Sequence, residues 1–167
     1  MTLTKADEFS EFVATQQTAL LRFGVVLCGD RYLAEELVAD VLAKVYERWS
    51  DVSAADHRNA YVRRMLANHY VSWQRKWGRL LPHMDEALDS PVPDRSGEHA
   101  ERDSLAASLK RLPRQQRAVL VLHFYEGLPA DDIADVLGCR PGTVRSHLSR
   151  GLEALRIDYT RREATDA

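Results

Sequence analysis

Apolar residues recur at intervals of three and four along most of this chain, which is the period of a helix with one buried face. Between residues 8 and 28 the apolar positions are Phe9, Phe12, Val13, Leu20, Phe23 and Leu27. Between residues 33 and 49 they are Leu37, Val38, Val41, Leu42, Val45 and Trp49. No segment alternates apolar and polar residues in the manner of a half-buried strand. The pattern therefore predicts an all-α protein made of two small helical bundles.

The second half of the chain begins with two predicted helices. The first ends at Pro113, because proline cannot continue a helix, and its apolar positions are Leu105, Leu109 and Leu112. The second is predicted over Arg114–Tyr125, with apolar positions Val119, Leu120, Leu122 and Phe124. The sequence Gly-Leu-Pro at 127–129 then breaks the pattern.

Residues 128–156 predict two further helices joined by a tight turn. The first helix has one apolar face, formed by Ile133, Ala134, Val136 and Leu137. Gly138 suits the turn because glycine tolerates a positive φ, and Pro141 suits the first position of the second helix. The apolar stripe of that second helix is Val144, His147, Leu148, Leu152 and Leu155. This arrangement is a helix-turn-helix in which we expect Val144 and Leu148 to face inward.

The opposite face of the second helix is polar and cationic, and its residues are Arg140, Thr143, Arg145, Ser146, Ser149 and Arg150. Cations and hydroxyls at the start of such a helix hydrogen-bond phosphates and base edges in the major groove. We therefore predict that this face binds DNA, with Arg145 and Arg150 directed toward it. The alternative is a helical hairpin whose charged face is only solvated. The glycine turn, the proline start and the clustered arginines favour DNA binding over that alternative.

Net charge complicates this prediction. The chain has 167 residues and a formal charge of −2, with an isoelectric point near 6.3. A protein that held DNA unaided would be basic, since phosphate neutralisation supplies most of the non-specific affinity. Either the chain does not bind DNA or a partner brings it there.

Several function classes are excluded by what the sequence lacks. It has no apolar run of signal or membrane-spanning length, so we expect a cytoplasmic protein without membrane insertion. Its two cysteines, Cys28 and Cys139, form neither a disulfide framework nor a CxxC motif. It has no Ser-His-Asp pattern, phosphate-binding loop or metal-ligand cluster. We therefore expect no enzymatic activity, no cofactor and no metal site.

The first half of the chain reverses its charge abruptly. Residues 30–56 contain seven acids against three bases, a net of −4, whereas residues 58–79 contain six bases and no acid, a net of +6. The acidic stretch alone favours a merely solvated face over a docking surface for a basic partner. The basic stretch has a predicted buried stripe of Val62, Met65, Leu66, His69 and Trp73. Its interleaved rings are Tyr61, Tyr70, Trp73 and Trp77.

Basic residues along a backbone, with rings on which bases stack, are what single-stranded nucleic acid requires. The alternative is that Tyr70 and Trp73 are core aromatics and the arginines are solvated. For an acid-free basic helix with several rings, nucleic-acid binding is the better hypothesis.

Proline, glycine, serine and acidic residues at 79–98 predict a flexible linker of about 25 Å end-to-end distance. The predicted domains are therefore 1–78 and 99–160, followed by a disordered tail at 161–167. We expect no further C-terminal domain.

Four ordered motifs resemble the bacterial RNA polymerase sigma factors of the extracytoplasmic-function (ECF) type, in particular a SigE-like actinobacterial subgroup. Residues 34–40, AEELVAD, are similar to the core-binding helix of that family. Residues 61–68, YVRRMLAN, are similar to its promoter-melting helix. Residues 112–120, LPRQQRAVL, match its LPxxxRxVLxL pattern, and residues 138–150 match its recognition helix. Helix-turn-helix regulators share the last motif, but all four in order are highly specific.

The resemblance implies a dissociable initiation subunit with sigma region 2 at 1–78 and sigma region 4 at 99–160. Core RNA polymerase would bind at Glu35, Glu36 and Asp40. The −10 element of promoter DNA would be melted by Arg63, Arg64, Asn68, Trp73, Arg75 and Lys76. The preceding loop, Ser50–His57, would help to open this element and hold a flipped base. The −35 element would be read by the outer face of the helix-turn-helix.

The resemblance further implies that the linker threads the RNA exit path and that an anti-sigma factor restrains activity. The sequence departs from the family pattern at Ala39, Arg140, His147 and Gly151. The substitution of Gly151 for the usual alanine is expected to soften the recognition helix by up to ~1 kcal/mol. The alternative function is a free-standing helix-turn-helix repressor or activator, which predicts tight duplex binding by the protein alone.

Overall fold

A computed structural model describes residues 2–77 and 97–166, with side chains described over 2–77 and 104–165. Within these ranges all regular elements are helical and no residue lies in a strand, which confirms the all-α prediction. Contacts divide the chain into two compact units, Met1–Met84 and Asp85–Ala167. Residues 79–96 of the predicted linker lie outside the described residues, and its last two residues, Gly97 and Glu98, begin a helix.

Over residues 2–77 the first unit has four helices: α1 (Lys5–Cys28), α2 (Arg31–Glu47), α3 (Trp49–Ala54) and α4 (Arg58–Trp77). Local sequence sets where the long helices begin. Thr4 and Asp7 form a reciprocal capping box at the start of α1, and the Asp30 carboxylate accepts from the Leu33 backbone N–H at the start of α2. The core lies between α1, α2 and α4, and its fully buried side chains include Phe23, Leu27, Leu37, Val41, Leu66 and Tyr70.

The predicted loop Ser50–His57 is wrong in its first part, because residues 50–54 belong to α3. Contacts of Trp49 with α1 and α4 hold this short helix in place. Its ring is buried, contacts Phe9 and Phe12 edge-on or tilted at centroid distances of 5.6 and 5.5 Å, and lies under the Arg58 guanidinium. Its Nε1 donates to Oε2 of Glu8 at 3.0 Å. Only residues 55–57 separate α3 from α4.

The second unit contains α5 (Gly97–Arg111), α6 (Arg114–Leu120), a π-helical turn (Val121–Tyr125), α7 (Ala130–Leu137) and α8 (Pro141–Asp166). The helix predicted over residues 114–125 thus changes to the wider turn halfway. Phe124, counted among its apolar positions, lies in this wider turn and is 63% exposed.

The turn between α7 and α8 has the predicted chemistry. Gly138 takes φ 64° and ψ 40°, the left-handed conformation that favours glycine, and ends α7. The backbone N–H of Cys139 donates to the Ala134 carbonyl at 3.0 Å. Pro141 is the first residue of α8.

The predicted apolar stripe of α8 is wrong at one position. Leu152 is 42% exposed, and Gly151 is buried in its place. Seven residues separate Val144 from Gly151, which is two turns of helix, so the glycine lies over the buried valine while Leu152 is rotated by about 100°. A Cβ at Gly151 would lie 2.8 Å from Cδ1 of Leu120, so α8 packs closely on α6 at this point.

Over residues 161–166 the structure differs from the predicted disordered tail, because α8 continues to Asp166. Contacts with α5 hold this extension. Nη1 of Arg162 donates to the Ser104 carbonyl at 3.0 Å, and Asp158 accepts from the Ser108 hydroxyl and pairs with Arg111 at 3.4 Å. Helical periodicity does not predict these contacts, because the paired residues lie about fifty positions apart in the sequence.

None of the described helices is both long enough and apolar enough to cross a membrane.

Candidate nucleic-acid interface

The six residues predicted to contact the −35 element all lie on the exposed side of α8. They are Arg140, which immediately precedes the helix, and Thr143, Arg145, Ser146, Ser149 and Arg150. The other side of the helix begins with Val144, which is fully buried, and Leu148, which is half-buried. The structure therefore brings the predicted set together on one surface of the helix-turn-helix.

Two further residues affect this surface, and sequence analysis did not assign either to it. Nη2 of Arg145 lies 3.9 Å from Oδ1 of Asp131, which is in the first turn of α7. His147 faces the packed side of α8, and its Nδ1 is buried without a hydrogen-bond partner among the described residues. Burial, with the nearby charge of Arg150, lowers the pKa of His147. The contact of Asp131 with Arg145 joins two helices, so no pattern within one helix signals it. The burial of His147, in contrast, agrees with its place in the predicted apolar stripe of α8.

In the first unit, three of the six residues predicted for the −10 element share one exposed face of α4. Arg64, Asn68 and Arg75 are exposed, and their separations of four and seven residues place them along the same side of the helix. Lys76 is also exposed, at the last turn. This face carries cations and an amide, the groups that hydrogen-bond phosphates and base edges.

The aromatic rings of α4 are distributed differently from the prediction. Tyr70 is a core residue, and its hydroxyl accepts from Nε2 of Gln74 at 2.8 Å. Trp73 is half-buried. Trp77, which was left out of the predicted site, is 40% exposed, with Nζ of Lys76 5.3 Å from the centroid of its ring. Helical spacing alone did not separate core rings from surface rings, because Tyr70, Trp73 and Trp77 follow one another at intervals of three and four.

Arg63 is half-buried and lies apart from the exposed face of α4. It lines an open polar cleft of about 950 Å³ at the start of this helix. Other lining residues are Asp56 and His57 in the segment before α4, Asn59 in its first turn, and Glu11 and Thr15 of α1. The contribution of α1 was not predicted, since it is distant in sequence.

The three predicted polymerase-binding acids, Glu35, Glu36 and Asp40, are exposed on α2. Glu35 pairs with Nε of Arg31 at 3.0 Å, four residues earlier. Glu36 pairs with none of the described side chains.

Asp40 is linked to α4 through His69. Its Oδ2 lies 3.1 Å from Nε2 of His69, and Nζ of Lys44 lies 3.2 Å from Nδ1 of the same ring. Because the ammonium group only donates, Nδ1 accepts and Nε2–H donates to Asp40. His69 thereby joins the acidic helix α2 to the basic helix α4.

Over the described part of the chain, no three His, Cys, Asp or Glu side chains come close enough to hold a metal ion.

Comparison with known proteins gives consistent results for both units. The family described as "Sigma-70, region 4" matches residues 102–155. The RNA polymerase sigma-E factor of Streptomyces coelicolor is 36% identical over 158 residues, which cover 93% of this chain and 88% of that protein. The ECF RNA polymerase sigma factor SigE of Mycolicibacterium smegmatis is 28% identical over 95% of this chain and 63% of its own length.

A solved structure shows the same fold. It is the sigma factor RpoE in complex with the anti-sigma factor NepR from Bartonella quintana, with a TM-score of 0.67 and 24% identity. The similarity covers 92% of this chain and 97% of that one. Taken with the identity to the Streptomyces protein over nearly the full length, these matches show that the chain belongs to the ECF sigma factors of bacterial RNA polymerase.

Proposed function

We propose that this transcription initiation factor binds core RNA polymerase with α2, reads the −35 element with α8 and opens the −10 element with α4. The observation that carries the proposal is the two-sided nature of α8. All six candidate base-reading and phosphate-binding residues are exposed, while Val144 on the other side is fully buried. A helix-turn-helix uses its second helix in this way in the major groove.

The proposal for the −10 element depends on α4. Its exposed face presents Arg64, Asn68 and Arg75 to a nucleic-acid backbone, and the exposed Trp77 offers a ring for stacking. The polar cleft beside Arg63 is the proposed site of the flipped base, since its lining supplies both donors and acceptors.

The proposal for polymerase docking depends on α2. Its exposed acids lie in a stretch with a net charge of −4, which complements a basic partner. This also accounts for the overall charge of −2, because the polymerase then supplies affinity for DNA and this chain supplies specificity.

The decisive test is run-off transcription with purified core polymerase on a promoter library. The chain is expected to direct initiation from a defined subset of promoters, and failure to stimulate initiation on any of them would refute the proposal. Arg145→Ala is expected to relax base preference at one −35 position, since one base contact is worth about 1–3 kcal/mol. Arg156→Ala, which removes an exposed cation further along α8, is the matched control.

Docking is tested by Glu36→Lys, because Glu36 has no described partner whose loss would confuse the result. This variant is expected to weaken co-purification with core polymerase and to leave the helical content unchanged. Glu163→Lys, the same reversal at an exposed position of α8, is the control. Equal co-purification of both variants would remove this face of α2 from the interface.

A free-standing repressor or activator is not favoured, because nearly the whole chain matches sigma factors. A gel shift without polymerase separates the two functions, since a free-standing regulator binds a duplex tightly alone. We also propose an anti-sigma partner, because a similar sigma factor was solved with an anti-sigma factor. We propose a cytoplasmic location because the similar proteins are named as RNA polymerase sigma factors. Capture of a partner that blocks core binding tests this part.

A further inference from the structure

The first turn of α7 places acidic side chains beside the proposed DNA-reading face. Asp131 and Asp132 occupy that turn, where the helix dipole favours negative charge. In a helix-turn-helix the first helix crosses the DNA backbone, so acids here face the phosphates of a bound duplex. Stability of α7 therefore explains why acids are tolerated, but it does not explain why one of them pairs with a residue of the reading face.

The pair in question joins Asp131 to Arg145. Oδ1 of Asp131 lies 3.9 Å from Nη2 of Arg145, and the two side chains are 77% and 66% exposed. Arg145 lies near the border between the exposed and packed sides of α8, one residue after the buried Val144. It is the one cation of the predicted −35 set for which the described structure gives an ion pair.

We propose that Asp131 is a specificity-determining residue that acts through Arg145, an inference that rests on the proposed function. A guanidinium group has five N–H donors, so Arg145 can face Asp131 with Nη2 and still present its other nitrogens to a base. The carboxylate thus holds Arg145 in position over the groove. It also prevents Arg145 from turning to a nearby phosphate when the correct base is absent.

This role has consequences that differ between matched and mismatched sites. On a matched −35 element the base contact is made with the pair intact, and removal of Asp131 changes initiation little. On a mismatched element, removal of Asp131 frees Arg145 for a phosphate, and that contact is available on any sequence. Loss of Asp131 therefore raises initiation at wrong sites and lowers the discrimination ratio.

The test uses holoenzyme, made from core polymerase and the full chain, on templates with the matched −35 element and with single substitutions in it. Asp131→Asn is expected to lower the matched-to-mismatched ratio about two- to fivefold, the range set by an exposed ion pair. The effect is concentrated at the position that Arg145 reads. Asp132→Asn removes the same charge from the same helical turn and is expected to leave the ratio unchanged. Asp131→Glu keeps a carboxylate within reach and is expected to retain discrimination.

A second set of variants distinguishes positioning of Arg145 by Asp131 from simple repulsion between the Asp131 carboxylate and the DNA phosphates. In the Arg145→Ala background, Asp131→Asn is expected to change the ratio no more than Asp132→Asn does. An equal effect of Asp131→Asn and Asp132→Asn in the wild-type background would overturn the inference. So would an effect of Asp131→Asn that persists without Arg145.

A third arm works without polymerase, so that this inference and the proposed function fail separately. Salt dependence of binding of the full chain to a random duplex counts phosphate contacts. Asp131→Asn is expected to steepen the log–log slope by about 0.9, the value for one added contact, and Asp132→Asn to leave it unaltered. Absence of initiation by the wild-type holoenzyme would reject the proposed function. If the salt-dependence slope of Asp131→Asn equals that of the wild-type chain, the role of Asp131 is rejected and the proposed function is unaffected.

Discussion

Gly151 offers the sharpest test of how the second unit is packed. As an interior helical glycine it costs about 1 kcal/mol relative to alanine, so propensity alone predicts that Gly151→Ala stabilises the protein. The structure predicts the reverse. A Cβ at this position would lie 2.8 Å from Cδ1 and 3.2 Å from Cγ of Leu120, and 3.6 Å from Cβ of Gln116. Leu120 is itself buried, so it has little room to withdraw.

The expected magnitude follows from two opposed terms. Overpacking a well-filled site costs about 1–3 kcal/mol, and the gain in helix propensity offsets about 1 kcal/mol of that. Gly151→Ala is therefore expected to lower the stability of the second unit by roughly 1 kcal/mol. Gly142, in the first turn of α8, has open space at its Cβ position, with no contact within 4 Å beyond its own neighbours and helix backbone. Gly142→Ala is expected to stabilise by about 0.4–1 kcal/mol, which makes it the matched control.

The distribution of tryptophan makes the assay specific to one unit. All three tryptophans, Trp49, Trp73 and Trp77, belong to the first unit. Tryptophan fluorescence therefore follows unfolding of the first unit, whereas far-ultraviolet circular dichroism follows the helices of both. In urea, Gly151→Ala is expected to move the dichroism transition of the second unit to lower denaturant and leave the fluorescence transition unchanged.

A double-mutant cycle completes the test. Leu120→Val removes the atom nearest to the added methyl group, so the cost of Gly151→Ala is expected to shrink in that background. The reasoning would be refuted if Gly151→Ala raised stability as much as Gly142→Ala. It would also be refuted if Gly151 and Leu120 showed no coupling.

Two predictions concern pH and the second unit. The hydrogen bond from Ser108, then the charges of Arg162 and Arg111, lower the pKa of Asp158. Asp158 thus contributes stability that is present above its unfolded pKa and is lost as pH falls through its folded pKa. Asp158→Asn is therefore expected to reduce the loss of stability of the second unit below about pH 4, measured by the dichroism transition. Burial lowers the pKa of His147, so the unfolded chain binds the proton more tightly and stability falls as pH drops below about 6.5. His147→Gln is expected to reduce the dependence of the melting temperature on pH between pH 7.5 and 5.5. An unchanged pH dependence in this variant would contradict the contribution of His147.

Most of the fold follows from patterns within one helix. The period of apolar residues predicted α1, α2 and α4, because each of these helices buries one continuous stripe. Gly138 and Pro141 set the turn and the start of α8, because their backbone restrictions act locally. The exposure of the six residues predicted to contact the −35 element follows for the same reason, since a stripe of buried residues fixes the opposite face.

The wrong predictions concern positions where the side chains of one helix contact another helix. Gly151 was taken for a weak point and Leu152 for a core residue, because apolar periodicity counts side chains and overlooks a glycine that lies directly against the side chain of another helix. The contact of Asp131 with Arg145 and that of Asp158 with Ser108 are equally invisible, because their partners lie on different helices. Sequence periodicity gives each helix a face, but it does not say which residue of another helix meets that face.

The charge of the recognition module bears on how the chain reads DNA. Residues 130–150 contain three aspartates and three arginines, so this part of the helix-turn-helix has no net charge. Each added phosphate contact would strengthen binding to every sequence alike, whereas a base contact strengthens binding to one. A neutral module therefore holds non-specific affinity low and leaves base contacts to decide where it binds. This balance suits a subunit whose attachment to DNA is supplied by a larger partner, and it would be a disadvantage in a regulator that must hold its operator alone.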